Sequence, residues 1–157
     1  MLCRENRLRA QKQNESGVTK EVCTVDSILI VDRKHNFGKY FQQQLTADGY
    51  CWRVADDEGK TADILQEGQF QLIILEFENV EIELQYIKII SKKFPEIPII
   101  VMGVMMSAEE RIQCIEHGAR DCVTEKCSAL ELSARIKAII RRYRIYGGKR
   151  LREECDI

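Results

Sequence analysis

The sequence predicts a doubly wound α/β fold, (βα)5, in which helices cover both faces of a parallel five-stranded sheet. Five short apolar runs rich in β-branched residues alternate along the chain with five segments of helical apolar spacing. Right-handed crossovers between parallel strands then place the intervening helices on both faces. A chain of 157 residues with 45% hydrophobic residues is long enough for one such domain and its core.

The first half of the chain contains two predicted strands and two predicted helices. SILIVD at residues 27–32 and YCWRV at residues 50–54 have the composition of short strands. The segment between them has helical spacing, and a weaker helix follows near residues 57–67. The apolar positions expected to face the sheet are Phe37, Tyr40, Phe41 and Leu45 in the first helix, and Ala62 and Leu65 in the second.

The second half continues the same alternation. Its strands are FQLIIL at residues 70–75, PIIVM at residues 98–102 and DCVT at residues 121–124. Its fourth helix is predicted near residues 108–117, and Gly49, Gly68 and Gly118 stand where helices should end. The apolar positions are Leu84, Ile87, Ile90 and Phe94 in the third helix, Ile112 and Ile115 in the fourth, and Leu132, Ile136, Ile139, Ile140 and Tyr143 in the fifth.

Two tails flank the predicted domain of residues 27–146. Residues 1–26 are polar and lack apolar periodicity, which predicts a flexible N-terminal tail, and residues 147–157 form the predicted C-terminal tail. Charge is uneven: residues 27–134 carry 11 basic and 18 acidic groups, net −7, whereas residues 135–157 carry 8 and 3, net +5. Basic helix ends are usually solvated, so direct binding of nucleic acid by this segment is an alternative rather than the first expectation.

The apolar runs are too short for a membrane-spanning helix, which needs roughly 20 residues. The N-terminal residues also lack the apolar core of a signal peptide. We therefore expect a cytoplasmic protein with no membrane partner.

The cysteines predict free thiols rather than disulfides. Seven cysteines cannot all pair within one chain, and none forms a CxxC motif. Cys114, His117, Cys122 and Cys127 are a possible tetrahedral zinc set. Because the usual closely spaced pair of thiolates is missing, buried free cysteine is the favoured interpretation, and we expect no metal site.

Any site in this fold should lie at the carboxyl ends of the strands, near the point where the strand order reverses. Asp32 and Arg33 follow the first strand, and Glu76 follows the third. A magnesium or phosphate site would need clustered oxygen ligands, a nucleophile and donors for phosphoryl oxygens. Arg33 instead places a cation beside Asp32, where it can pair with Asp32 or Glu76. The remaining strand-end residues are Gly103, Thr124, Glu125 and Lys126.

From ILIVD through GARDCVTEKCSALELSARIKAIIRRY, about 115 residues, the chain resembles the receiver domain of bacterial response regulators. The stretch GARDCVTEKCSALELSARI is most similar to the winged-helix branch, often called OmpR/PhoB-type. The resemblance implies a CheY-like, flavodoxin-like sheet with strand order 2-1-3-4-5. It also implies a role in two-component signal transduction and the regulation of transcription.

The resemblance also locates a phosphorylation site that this sequence has largely lost. In that family two acids follow strand one, an aspartate that accepts phosphate ends strand three, a Ser or Thr ends strand four, and a lysine and a proline follow strand five. Only Asp32 matches, and the aromatic switch position holds Cys122. The Pro and Asp-Gly that usually follow the phosphoacceptor are replaced by Val80, Glu83 and Leu84. The degenerate pocket is therefore Asp32, Arg33, Glu76, Gly103, Glu125 and Lys126.

These departures predict a domain that is not an enzyme, works without phosphorylation and has lost or weakened Mg²⁺ binding. Glu76 is one methylene longer than the family's nucleophile, and small misplacements of reacting groups lower rates strongly. We expect Glu76 to pair with Arg33, because a nearby cation satisfies a partly buried carboxylate. The alternative is that Glu76 imitates a phosphorylated state, although it has one charge and a planar head.

The surface residues predict a self-association face. Active receivers of the winged-helix branch dimerise through helix 4, strand 5 and helix 5. This chain keeps residues for three of the charge pairs, namely Arg111 with Glu131, Asp121 with Arg135, and Glu116 with Lys137. We therefore expect a homodimer or another protein partner, bound without direct contact to nucleic acid. A fourth pair is broken, since Arg120 replaces the acid that should meet Arg142. The candidate interface residues are Arg111, Ile115, Glu116, Asp121, Glu131, Ala134, Arg135 and Lys137.

The sequence leaves other function classes open. One is a regulator that binds nucleic acid through the basic C-terminal segment, and a related one is a fragment of a winged-helix DNA-binding response regulator. The predicted organisation is a stand-alone receiver, since the chain after Tyr143 is too short for a winged helix. We find no glycine-rich phosphate loop and no nucleophile–base pair that would indicate catalysis.

Overall fold

The computed structural model describes residues 25–34 and 39–153. These residues form five strands and five helices in strict alternation. The strands are β1 (Ser27–Val31), β2 (Cys51–Ala55), β3 (Leu72–Phe77), β4 (Ile99–Gly103) and β5 (Asp121–Thr124). The helices are α1 (Lys39–Ala47), α2 (Glu58–Glu67), α3 (Val80–Lys93), α4 (Ala108–His117) and α5 (Ala129–Glu153).

All four strand pairings are parallel, and the order across the sheet is β2-β1-β3-β4-β5. The predicted fold class and strand order are therefore confirmed. The order reverses between β1 and β3, which lie side by side although β2 separates them in sequence. The carboxyl ends of β1 and β3 consequently meet at the position where ligands bind in such sheets.

The core lies in two layers, one on each face of the sheet. Alternate residues of β1 and β3 enter opposite layers because successive side chains of a strand point to opposite faces. One layer is closed by α2, α3 and α4, and the other by α1 and α5. Burial on both faces explains why β1, β3 and β4 are apolar almost throughout, whereas the edge strands β2 and β5 are only partly buried.

Capping residues mark the starts of α3 and α4 and the end of α4. The Asn79 side chain accepts hydrogen bonds from two backbone N–H groups at the start of α3, and Ser107 forms a capping box with Glu110 at the start of α4. Gly118 ends α4 at φ +125°, where a Cβ atom would also lie 2.4 Å from Ser91 Oγ. That position accepts only glycine without rearrangement.

Two predicted helix faces differ from the structure. In α2 the inward positions are Thr61, Ile64 and Leu65, while Ala62 is only half-buried. In α4 the inward residue is Cys114, which is fully buried, whereas Ile112 and Ile115 are 56% and 47% exposed. Cys114 lies between the two isoleucines in sequence, so its inward orientation turns both of them away from the sheet.

The predicted tail boundaries are only partly covered by the described residues. Helix α5 runs to Glu153, seven residues past the predicted domain end at residue 146. Residues 147–153, which belong to the predicted C-terminal tail, are helical in the structure. The predicted N-terminal tail lies almost wholly outside the described residues, as do the side chains of Phe37 and Tyr40. Among the described helices, none is long and apolar enough to cross a membrane.

Candidate functional site

Two carboxyl groups meet at the point where the strand order reverses. Val31 pairs with Leu75 in the β1–β3 register, so the next residues along each strand, Asp32 and Glu76, lie side by side. Both are buried, Asp32 at 2% and Glu76 at 9% exposure, and their side chains share a hydrogen bond. Two carboxyl groups can share a hydrogen bond only when one of them carries a proton.

The surroundings of Glu76 favour its protonated form. Burial, the hydrogen bond and charge of Asp32, and the charge of Glu78 raise the pKa of Glu76 from 4.5 to about 7, against the opposing effect of the Lys34 backbone N–H. Near neutral pH a substantial fraction of Glu76 therefore carries a proton. Glu125, the acid that follows strand β5, is exposed and lies outside this buried pair.

Arg33 has a partner other than the one predicted. Its Nη2 donates to Glu83 Oε1 at 2.7 Å, so among the described residues its ion pair is with α3 rather than with Glu76. Glu83 is 1% exposed, and its second oxygen accepts the backbone N–H of Asn79 at 2.6 Å. Geometry explains the difference, since the Arg33 guanidinium extends toward the start of α3 while Glu76 lies against Asp32. The Arg33–Glu83 ion pair thus ties the end of β1 to the N-terminus of α3.

The strand-four position of the site is closed by a methionine. A Cβ atom added to Gly103 would lie 2.4 Å from Met106 Cγ and 2.7 Å from Met106 Sδ. No real Cβ atom approaches another heavy atom so closely, so Met106 occupies the space that a Ser or Thr side chain would enter. The sequence revealed the missing hydroxyl at Gly103 but not the residue that fills its place.

The strand-five residues stand apart from the buried acids. Glu125 and Lys126 are both exposed, and the backbone N–H of Glu125 donates to the Gly103 carbonyl at 3.1 Å. Neither is among the main influences on the pKa of Glu76. The site therefore brings together Asp32 and Glu76, with Arg33 held beside them by Glu83, and leaves the other predicted members at its edge.

Cys122, the predicted switch position, lies beneath α4. Its side chain packs against the core layer that contains Cys114, and its Sγ lies 3.8 Å from the Arg111 carbonyl. Cys127 packs in the core layer on the opposite face of the sheet. Since the sheet separates Cys127 from Cys114, the possible zinc set cannot converge. No group of three or more His, Cys, Asp or Glu residues within the described ranges is arranged to hold a metal ion.

The predicted association residues lie on α4, β5 and α5, and all but Asp121 are exposed. Ile115 is joined there by apolar side chains that the sequence did not single out. Val104 and Met105 of the β4–α4 loop are exposed, Met105 at 86%, and Ile112 lies one turn before Ile115. We call Val104, Met105, Ile112 and Ile115 the α4 patch. All four lie on α4 or in the loop that leads into it, and several exposed apolar side chains in one segment are typical of an interaction surface.

Several charges on this face already have partners within the chain. Arg135 donates to Asp121 at 2.8 Å and to Glu131 at 2.9 Å. Lys137 lies 3.3 Å from Asp48 at the end of α1, so it has an intrachain alternative to the predicted pair with Glu116. A second copy of the chain would have to exchange these partners, which limits the free energy that the charge pairs can add.

The basic helix end is also partly neutralised. Arg120, predicted to repel Arg142, donates from Nε to the Tyr143 hydroxyl at 2.6 Å and lies 5.4 Å from the centre of the Tyr143 ring. Arg144 forms an ion pair with Asp26. Within the basic segment the charge of Arg144 is therefore neutralised by Asp26, whereas Arg120 has an uncharged partner in Tyr143.

Comparison with known proteins gives consistent matches. Residues 28–137 match the response regulator receiver domain family. The probable transcriptional regulator ycf27 of Cyanidium caldarium is 30% identical over 122 residues, which are 78% of this chain and 49% of that protein. The chain spans about half the length of the curated relatives that it matches.

Solved structures have the same fold at lower identity. A CheY-like receiver domain protein from Methanospirillum hungatei superposes with a TM-score of 0.70 at 19% identity, over 79% of this chain and all of that one. An atypical orphan response regulator, described as having a phosphorylation-independent regulatory mechanism, superposes with a TM-score of 0.64 at 22% identity, over 73% of this chain and 95% of that one. At this identity the likeness shows the fold.

Proposed function

Because the chain belongs to the response regulator receiver domain family, we propose that it is a receiver that works in transcriptional regulation as a protein-interaction module, without phosphorylation. The observation that carries this proposal is the state of the position that would accept phosphate. Glu76 is buried and hydrogen-bonded to Asp32, and its pKa of about 7 leaves it partly protonated at neutral pH. A partly protonated carboxyl held by another acid is a poor nucleophile.

The rest of the pocket supports the same proposal. Phosphoryl transfer depends on cations and hydrogen-bond donors that neutralise charge on the transferred group. Here the charges with the largest effect on Glu76, those of Asp32 and Glu78, are both negative, and Met106 occupies the place of the strand-four hydroxyl. Arg33 forms an ion pair with Glu83. A phosphoryl group on Glu76 would have little to stabilise it.

The donor set also fits Mg²⁺ poorly. This ion prefers near-octahedral oxygen coordination and usually binds through one or two carboxylates that are ionised. Glu76 is partly protonated at neutral pH, and the position next to Asp32, where a further acid would help, holds Arg33. We propose that Mg²⁺ binds weakly or not at all, and that the domain is not an enzyme.

Glu76 is also unsuited to imitate a phosphorylated state. A phosphoryl group carries about −1.5 to −2 charges at pH 7. The Asp32–Glu76 pair shares a hydrogen bond that requires a proton, so Glu76 adds little fixed negative charge at neutral pH. The proposed module is therefore constitutive, and any control over it must act elsewhere than at this pocket.

Acetyl phosphate with Mg²⁺ is expected to leave the mass of the protein unchanged, because the pocket lacks the nucleophile and the cations that the reaction needs. Intact-mass spectrometry after incubation measures this directly. A receiver that retains the acceptor aspartate serves as the positive control. Addition of one phosphoryl group that disappears in a Glu76→Gln variant would contradict the proposal.

The interaction surface is proposed to be the α4 patch with its charged surroundings on β5 and α5, and its occupant a second copy of the chain. The patch is apolar and exposed at its centre, and acidic and basic groups surround it, among them Glu116, Asp121 and Arg135. A two-fold contact is self-complementary, so a surface with both signs of charge can meet its own copy.

Ile115→Glu is expected to weaken dimerisation at least about tenfold, since it places a charge in the apolar centre of the interface and a tenfold change is only 1.4 kcal/mol. Sedimentation equilibrium of the full chain measures the change. Ile89→Glu is the matched control, because Ile89 is similarly exposed, at 59%, but lies on α3 outside this face. Monomeric wild type at every concentration, or equal weakening by both variants, would rule out this interface.

A further inference from the structure

Three methionines at the end of β4 and in the loop that follows differ in their exposure to solvent. Met102 on β4 is 3% exposed and belongs to the core layer closed by α1 and α5. Met106 is half-buried and packs against the opposite core layer, where its side chain fills the space beside Gly103. Met105 is 86% exposed, the highest value among the exposed large apolar side chains of the described residues. Of the three thioethers, that of Met105 is therefore the one most open to a reagent in solution.

The exposed side chain of Met105 contributes little to the stability of the domain. Burial of apolar surface stabilises a fold in proportion to the area removed from water, and Met105 keeps most of its area in water. A polar sulfur at Met102 or Met106 would instead have to be accommodated among packed apolar side chains. A chemical change at Met105 therefore alters the surface of the protein while the core stays intact.

We propose that hydroperoxides oxidise Met105 reversibly to methionine sulfoxide, and that this oxidation weakens self-association through the α4 patch. A lone pair of the Met105 sulfur attacks one oxygen of the peroxide. The S–O bond forms, the O–O bond breaks, and the other oxygen takes up the hydroperoxide proton and leaves as water or an alcohol. The sulfur loses two electrons and the peroxide gains them. A methionine sulfoxide reductase, which takes its electrons from thiols, restores the thioether.

Oxidation makes the α4 patch partly polar. Met105 belongs to this patch together with Val104, Ile112 and Ile115. The sulfoxide oxygen accepts hydrogen bonds from water, and its burial against apolar side chains without a new donor is unfavourable. We expect the dissociation constant of the dimer to rise at least about fivefold. The site of oxidation is independent of the proposed function, whereas the effect on self-association rests on it.

Peptide mapping of the full chain locates the oxidised sulfur. The protein is treated with dilute hydrogen peroxide and then with dithiothreitol, which reduces disulfides but leaves the sulfoxide, before trypsin is added. Cleavage after Lys93 and Arg111 places all three methionines in one peptide, residues 94–111. We expect this peptide to gain one oxygen atom, which fragmentation assigns to Met105 before Met106 or Met102 is modified.

Sedimentation equilibrium before and after peroxide treatment measures the effect on self-association. Met105→Leu is the matched control, because it has a large apolar side chain without sulfur. Whatever its own dissociation constant, that constant should be the same before and after peroxide. An effect of cysteine oxidation would persist in this variant and so would be recognised. Met105→Gln places a polar amide at the same position and should weaken self-association without any peroxide.

Two results would overturn the proposal. One is oxidation of Met106 or Met102 before Met105, and the other is equal self-association of oxidised and untreated wild type. If Ile115→Glu weakens the dimer but oxidation does not, this proposal fails and the proposed function stands. A wild type that is monomeric at every concentration contradicts the proposed interface and, with it, the effect of oxidation on self-association.

Discussion

Glu83→Ala is expected to lower the free energy of unfolding by about 3 kcal/mol, the largest loss predicted for a single polar side chain in this protein. Glu83 is 1% exposed and accepts hydrogen bonds from Arg33 at 2.7 Å and from the Asn79 backbone N–H at 2.6 Å. Its removal takes away the acceptor of a half-buried cation and of a donor at the start of α3. Breaking a buried ion pair by removing one partner typically costs about 3–5 kcal/mol.

Urea unfolding of the variant and the wild type measures the loss. Glu78→Ala is the matched control, because Glu78 pairs with Lys34 at 3.0 Å in a solvent-exposed setting, where such pairs contribute under about 1 kcal/mol. An Arg33→Ala, Glu83→Ala double variant should lose less than the sum of the two single losses. Equal losses for Glu83→Ala and Glu78→Ala would mean that the Arg33–Glu83 ion pair does not stabilise the fold.

Glu76→Gln is expected to stabilise the protein at alkaline pH by up to about 3 kcal/mol, since each pKa unit corresponds to 1.36 kcal/mol. The folded state raises the pKa of Glu76 from 4.5 to about 7, so the native protein holds this proton more tightly than the unfolded chain does. The contribution of Glu76 is therefore most favourable below pH 4.5 and is lost as the pH rises through about 7. Glutamine keeps a donor toward Asp32 without ever ionising.

The measurement is the difference in unfolding free energy between variant and wild type across this pH range. The difference should grow from pH 4.5 to pH 8 and then level off. Glu125→Gln removes an exposed acid at the same end of the sheet and should give a nearly flat difference. A flat difference for Glu76→Gln as well would show that Asp32 and Glu76 do not share a proton in solution.

Both expected results concern the same change in a receiver pocket. The acids and the arginine that remain are bound to one another, through the Asp32–Glu76 hydrogen bond and the Arg33–Glu83 ion pair. The Arg33–Glu83 ion pair stabilises the domain, whereas ionisation of Glu76 beside Asp32 destabilises it as the pH rises through about 7. This agrees with the proposal that signalling by this chain does not begin with phosphorylation.

The order and type of the elements followed from the sequence because they depend on local patterns. Continuous apolar runs such as those of β3 and β4 predict strands buried on both faces, and the alternation with helices determines the parallel topology. The convergence of Asp32 and Glu76 also followed, because parallel strands place their carboxyl ends at one edge.

The partners of individual side chains did not follow. Cys114 is the residue that faces the sheet in α4, and Glu83 is the partner of Arg33. Met106 fills the space beside Gly103. Each depends on the rotation of a helix about its axis or on the path of a loop, to within a few tens of degrees. The identities of Cys114, Glu83 and Met106 in the sequence do not predict that rotation or path.

The sequence by itself determined which strands and helices form and how they are ordered, and it predicted that the residues of an ordinary phosphorylation site are missing. Only the tertiary structure decided what replaced that site and which isoleucines reached the surface. The physical reason is the separation in sequence of the residues that interact. Hydrophobic periodicity is read within about ten residues, whereas Arg33 and Glu83 lie 50 residues apart and meet only after the sheet has been assembled.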